Sequence, residues 1–133
     1  MKEVKIFDSY AFLVFFQDEN NADKVEELLL KAEEGKITIL LSVINLGEIY
    51  YTISRKLGRK IAEQKIEEIN RMAVDIVPAD KELTLMAAGI KASHPMSYAD
   101  CFAAALAQKN RGELVTGDRE FEEIEKEINI FWI

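Results

Sequence analysis

The period of the apolar positions changes repeatedly along the chain, and the changes mark out alternating short strands and helices. Val4 to Phe7 is an apolar run of strand length, and Asp8-Ser9 then introduces the apolar stretch Tyr10 to Phe16. That stretch is predicted helical against the strand preference of its aromatic and branched residues. From Asn21 to Glu34 the residues Val25, Leu28, Leu29 and Ala32 recur at helical spacing, with Gly35 as the stop. Ile37 to Leu41 reads as a buried strand. Ser42 caps a long helix carrying Val43, Leu46, Tyr50, Ile53 and Leu57, broken at Gly58.

The second half repeats the alternation. A helix from about Lys60 to Met72 rests on Ile61, Ile66, Ile69 and Met72, and the strand Ala73 to Val77 ends at Pro78. Lys81 to Ala92 is helical. Beyond His94-Pro95, Ser97 and Asp100 form an S-x-x-D capping box for a helix from Tyr98 to Asn110, closed by Gly112. Leu114 to Thr116 is a strand, Gly117-Asp118 a turn, Phe121 to Lys126 a short helix and Ile128 to Trp132 a final strand. Strands alternating with helices imply crossover connections, hence a three-layer α/β/α fold with a mostly parallel central sheet. With 133 residues, one domain spanning residues 1–133 is expected. Ligands of such sheets bind beyond the carboxyl ends of the strands.

Composition removes several chemistries. One Cys and one His exclude a disulfide framework and a Cys/His zinc site. No apolar run approaches a membrane span and the amino terminus has no signal-like segment, so a cytoplasmic protein is expected. The net charge of -7 is the wrong sign for holding nucleic acid by bulk electrostatics. Glycines are not spaced as a dinucleotide fingerprint or P-loop, and Tyr10 stands where a D-x-D phosphatase motif needs its second Asp.

Most acids occur in charge-rich stretches such as Glu26-Glu27 and Glu67-Glu68, which read as solvated faces. Three do not. Asp8 is the only carboxylate between Glu3 and Asp18, Glu48 between Glu34 and Glu63, and Asp100 between Glu82 and Glu113. A carboxylate in apolar surroundings needs a compensating cation or hydrogen bonds. Asp8, Asp100 and Asp118 fall at strand ends or in the first turn of a helix, and Glu48 lies two turns into its own. If the four converge, a hard divalent cation, Mg2+ or Mn2+, relieves their repulsion and serves phosphodiester hydrolysis. The local alternatives are a helix cap for Asp8, the capping box for Asp100 and a turn for Asp118. Glu48 has no such role open to it.

Ser9 and Thr116 are candidate orienting hydroxyls or simple cap and turn residues, and Asn45, one turn before Glu48, is a candidate polar support. Arg55, Lys56, Arg59 and Lys60, with Arg119, offer a local path for a phosphate backbone, or merely a solvated helix end that suits the macrodipole.

The segments VKIFDSYAFL, SVINLGEIYYTI, SYADCFAAALA and LVTGDREF, taken in order, resemble the four acidic blocks of PIN domains, in particular the VapC-type ribonuclease toxins of prokaryotic toxin-antitoxin pairs. The likeness covers nearly the whole chain. It implies that Asp8, Glu48, Asp100 and Asp118 are Mg2+-binding catalytic acids of an endoribonuclease, supported by Ser9 and Thr116, with Glu120 as a further acid whose counterpart varies among relatives. It also implies a homodimer and a cognate antitoxin protein. A PIN-like nuclease of RNA processing, and a non-catalytic module that grips a basic segment in its acidic pocket, are the alternatives.

Overall fold

A computed structural model describes residues 2–133. The elements follow the order β1 (Glu3–Phe7), α1 (Ser9–Phe16), α2 (Ala22–Glu33), β2 (Ile37–Ser42), α3 (Val43–Leu57), α4 (Arg59–Asn70), β3 (Asp75–Val77), α5 (Lys81–Ser93), α6 (Tyr98–Asn110), β4 (Glu113–Thr116), a 3-10 helix (Arg119–Ile124) and β5 (Asn129–Trp132). The five strands form one sheet in the order β3-β2-β1-β4-β5, and every neighbouring pair is parallel. This is the α/β/α arrangement that the alternating pattern predicts.

Alternate residues of the central strands feed two cores. Ile6 and Leu114 pack with Leu83, Met96, Phe102 and the alanines of α6 on one side. Phe7, Val115, Ile39 and Leu41 pack with Phe12, Val25, Ile49 and Ile69 on the other. Burial of each large side chain stabilises the fold by roughly 1.5–3 kcal/mol. The run Ala103-Ala104-Ala105, fully buried, leaves α6 without bulk and lets it lie close to the sheet.

Several boundaries differ from the pattern in informative ways. The buried line of α3 is Asn45, Ile49 and Ile53, whereas Leu57 is 61% exposed. The apolar spacing there describes a broader stripe whose end reaches solvent. Arg111, not Gly112, takes the left-handed conformation that closes α6. Gly112 is needed for space instead, because a Cβ there would collide with Ile6 Cδ1 and lie 2.9 Å from the Val4 carbonyl oxygen. The segment after Asp118 winds as a 3-10 helix, and it begins at Arg119 rather than Phe121.

The strand order sets the location of the site. The chain builds β1, β2 and β3 outward in one direction, then returns to add β4 on the other side of β1. Phe7 pairs with both Leu41 and Val115, so the segments leaving β1 and β4 diverge from one edge and open a crevice at this switch point. Asp8 and Asp118 occupy those two segments.

Candidate metal centre

Asp8 terminates the apolar run of β1 and caps α1. Its Oδ1 accepts from the Ala11 amide at 3.0 Å and its Oδ2 from the Thr116 hydroxyl at 2.5 Å. The cap and the functional reading are therefore compatible: one carboxylate does both. Burial pushes the Asp8 carboxyl up to about 7, against the Thr116 and Ala11 hydrogen bonds, and the charges of Asp118 and Glu48 push the same way as burial.

Glu48 reaches the same crevice from α3. It accepts a short hydrogen bond from the Ser9 hydroxyl, and Tyr51 directs its hydroxyl to the other oxygen at 3.4 Å. Behind it, Asn45 is fully buried. Its amide nitrogen donates to Ser9 Oγ at 3.3 Å and to the Ala99 carbonyl at 3.2 Å. One side chain thus joins α3 to α1 and to the first turn of α6, the three helices that carry or adjoin Glu48, Asp8 and Asp100. Among the described residues, Asn45 Oδ1 has no hydrogen-bond partner.

Asp100 shows how the capping box is used. Ser97 Oγ accepts from the Asp100 amide at 3.2 Å, as the motif predicts, but the Ser97 amide donates to Glu120 Oε1 at 2.7 Å. Glu120, from the 3-10 helix, takes the capping role expected of the Asp100 side chain. That leaves the Asp100 carboxylate free to face the crevice. Burial raises it to about 8, helped by the charges of Asp118, Asp8 and Glu120 and opposed by Ser97.

Asp118 follows Gly117, where a Cβ would come within 2.5 Å of the Tyr10 ring and 2.9 Å of the Ile133 carbonyl. Only glycine allows the chain to pass there. The Asp118 amide donates to Thr116 Oγ1 at 3.0 Å, and its Oδ1 accepts from the Glu120 amide at 2.9 Å. Thr116 is accordingly a shared pivot for Asp8 and Asp118.

The five acids Asp8, Glu48, Asp100, Asp118 and Glu120 line one cavity of about 290 Å³, together with Ser9, Tyr10, Leu13, Thr52 and Ser97. Among the described residues, no Lys, Arg or His lines it. One oxygen from each of Asp100, Asp118 and Glu120 lies within 4.8 Å of the others. Larger depressions elsewhere, about 420 and 480 Å³, mix their acids with lysine or arginine. An all-carboxylate donor set without an internal cation fits a hard divalent ion.

All four carboxylates singled out from the sequence thus reach one crevice, as do Ser9 and Glu120, with Thr116 and Asn45 supporting them. Tyr10 and Leu13 were not legible as lining residues, because an apolar helix presents no signal for which of its residues face a cavity. The basic residues do not line it. Arg55, Lys56, Arg59 and Lys60 gather at the α3–α4 junction, and Arg119 stacks on Trp132 with its guanidinium carbon 4.7 Å from the ring centroid. His94 pairs with Glu127 at 3.2 Å, Asp75 is exposed and Cys101 is buried.

A parallel α/β sheet with a carboxylate cluster at its switch point defines the class. The chain belongs to the PIN domain family, whose model matches residues 5–127. Comparison with curated proteins gave no match. Among solved structures, the chain is similar to VapBC2 from Rickettsia felis bound to a promoter DNA fragment, at a TM-score of 0.75 and 17% identity over 96% of this chain and 97% of that one. It is similar to DNA-bound VapBC from Salmonella typhimurium, at a TM-score of 0.75 and 20% identity over 98% of both chains. A third similar structure is the sarcin-ricin loop cleaving toxin VapC20 from Mycobacterium tuberculosis, at a TM-score of 0.70 and 16% identity over 90% of this chain and 93% of that one. At these identities the likeness concerns the fold. Among the described residues no helix is long and apolar enough to cross a membrane.

Proposed function

We propose that the protein is a Mg2+- or Mn2+-dependent endoribonuclease acting as the toxin of a toxin-antitoxin pair. The observation that carries this reading is the convergence of five carboxylates, free of any cationic side chain, on one crevice of a PIN fold. Asp100, Asp118 and Glu120, with Asp8 and Glu48 on the same wall, are the residues that would hold the ion. A divalent ion bound there supplies Lewis-acid stabilisation of charge on the phosphate and lowers the pKa of a bound water.

The residues themselves provide the preorganisation. Thr116 and the Ala11 amide fix both oxygens of Asp8, Ser9 fixes Glu48, and the Ser97 amide holds Glu120. The rotamers are therefore set before substrate arrives, which is the condition for electrostatic catalysis without reorganisation. The raised Asp8 and Asp100 carboxyls mean that cation binding displaces protons near neutrality.

The toxin reading is supported by VapBC2, VapBC and the sarcin-ricin loop cleaving toxin VapC20 among similar structures. It brings with it an antitoxin partner, a homodimer and a cytoplasmic setting. Purified protein is expected to cleave RNA with Mn2+ and not with chelator, and Asp8→Asn to abolish cleavage. Expression in a bacterial host is expected to arrest growth with the wild type and not with Asp8→Asn. Mn2+ that leaves the thermal midpoint unmoved, with no cleavage, would favour instead a module that binds a basic segment.

A further inference from the structure

The exposed face of α3 continues outward from the acidic cavity. Glu48 and Thr52 line the cavity, and Tyr51 beside them is 46% exposed. The Arg55 guanidinium lies 4.9 Å from the centroid of the Tyr51 ring. Seven residues beyond Glu48, Arg55 stands about 10 Å along the same side of the helix. Lys56 follows, the chain turns at Gly58 with a φ of 95°, and Arg59 and Lys60 open α4. No acid occurs between Glu48 and Glu63. Among the described residues, Arg59 pairs with Glu63, while Arg55, Lys56 and Lys60 have no carboxylate partner.

We propose that Tyr51, Arg55, Lys56 and Lys60 form a track that leads single-stranded RNA into the acidic cavity, an unpaired base stacking on Tyr51 and phosphates resting on the three cations. This rests on the ribonuclease reading of the cavity. A wall of five carboxylates repels a polyanion, and a chain of net charge -7 offers no general attraction, so substrate needs a local cationic approach. The helix dipole accounts for Arg55 and Lys56 at the end of α3, but not for Arg59 and Lys60, which stand at the start of α4 where positive charge is unfavourable and where the first turn contains no acid. Arg55 also turns back over Tyr51. An exposed aromatic ring beside cations is the combination that binds single strands without reading sequence.

The test uses the full chain carrying Asp8→Asn, so that binding is read without cleavage, and a fluorescent oligouridine as probe. The triple variant Arg55→Gln, Lys56→Gln, Lys60→Gln is expected to bind at least tenfold more weakly at moderate salt. Its plot of log affinity against log salt should be shallower by about 2, because each phosphate that a cation neutralises on a single strand adds roughly 0.7 to the slope. Tyr51→Leu should weaken binding about tenfold with the slope unchanged, and Tyr51→Phe should restore it. Thermal midpoints report that the exposed substitutions leave the fold intact. Unchanged affinity and slope in the triple variant overturns the track, as does a Tyr51 dependence equally strong for duplex RNA. Cleavage by the otherwise wild-type protein separates the two readings. Cleavage with track-independent binding removes the track alone, whereas track-dependent binding with no Mn2+-supported cleavage removes the nuclease alone.

Discussion

The Thr116 hydroxyl donates to Asp8 Oδ2 at 2.5 Å across 108 residues of sequence, and Thr116 Oγ1 itself accepts from the Asp118 amide at 3.0 Å. A single threonine at the end of β4 therefore sets the carboxylate at the end of β1 and the turn that carries Asp118. Adjacent parallel strands bring the two side chains together, and full burial of Thr116 keeps water from competing.

Replacing Thr116 with valine keeps the shape and removes the pivot. Mn2+ affinity measured by calorimetry is expected to fall about 10- to 100-fold, at a stability cost of about 1–3 kcal/mol for the unpaired groups. Because the hydroxyl holds the Asp8 carboxyl down against burial, its loss strengthens proton competition, so the affinity deficit should narrow as pH rises. A deficit independent of pH contradicts this role.

Metal-free protein should lose stability as pH rises. Asp8 and Asp100 move from an ordinary 3.8 up to about 7 and about 8 on folding, so between pH 4 and 8 the folded state binds more protons than the unfolded state. Stability then falls with pH across that window. Denaturation in chelator at pH 5 and pH 8 checks the sign for these two groups, with Asp8→Asn flattening the profile. Added Mn2+ should restore stability at pH 8 far more than at pH 5.

Glu120 has two separable roles. Glu120→Gln keeps an acceptor for the Ser97 amide and should leave the unfolding midpoint within a degree or two while weakening Mn2+ binding. Glu120→Ala removes the cap as well and should cost about 1 kcal/mol of stability. Equal metal affinity in wild type and Glu120→Gln would remove Glu120 from the ion-binding set.

Asn45→Ala cuts the links from α3 to Ser9 and to the Ala99 carbonyl. RNA cleavage is expected to fall about tenfold or more, beyond what the fraction unfolded explains, because Ser9 and Glu48 lose their fixed orientation. A rate loss matching the unfolded fraction would make Asn45 purely structural.

Strands and helices were legible because their apolar periods are local properties, and Asp8, Glu48 and Asp100 stood out because uncharged neighbours isolate them. Interactions between distant segments were not. The S-x-x-D motif announced a reciprocal box, yet Glu120, 20 residues after Asp100, supplies half of it. The exposure of Leu57 and the burial of Asn45 were hidden for a related reason: which face of α3 is covered depends on α1, α4 and α6, not on α3 itself. Asp118, crowded by other acids in sequence, is distinguished only by the return of the chain to β4.

The most direct measurement is the initial rate of cleavage of a labelled RNA by wild type and Asp100→Asn, each in millimolar Mn2+ and in chelator at pH 8. Asp100 makes no cap through its side chain, so its loss leaves the framework standing. Cleavage by the wild type only with Mn2+, and a rate lower by about 100-fold or more in Asp100→Asn, is the predicted result. Cleavage that persists in chelator, or an Asp100→Asn rate equal to wild type, would contradict a carboxylate-held metal as the seat of the chemistry.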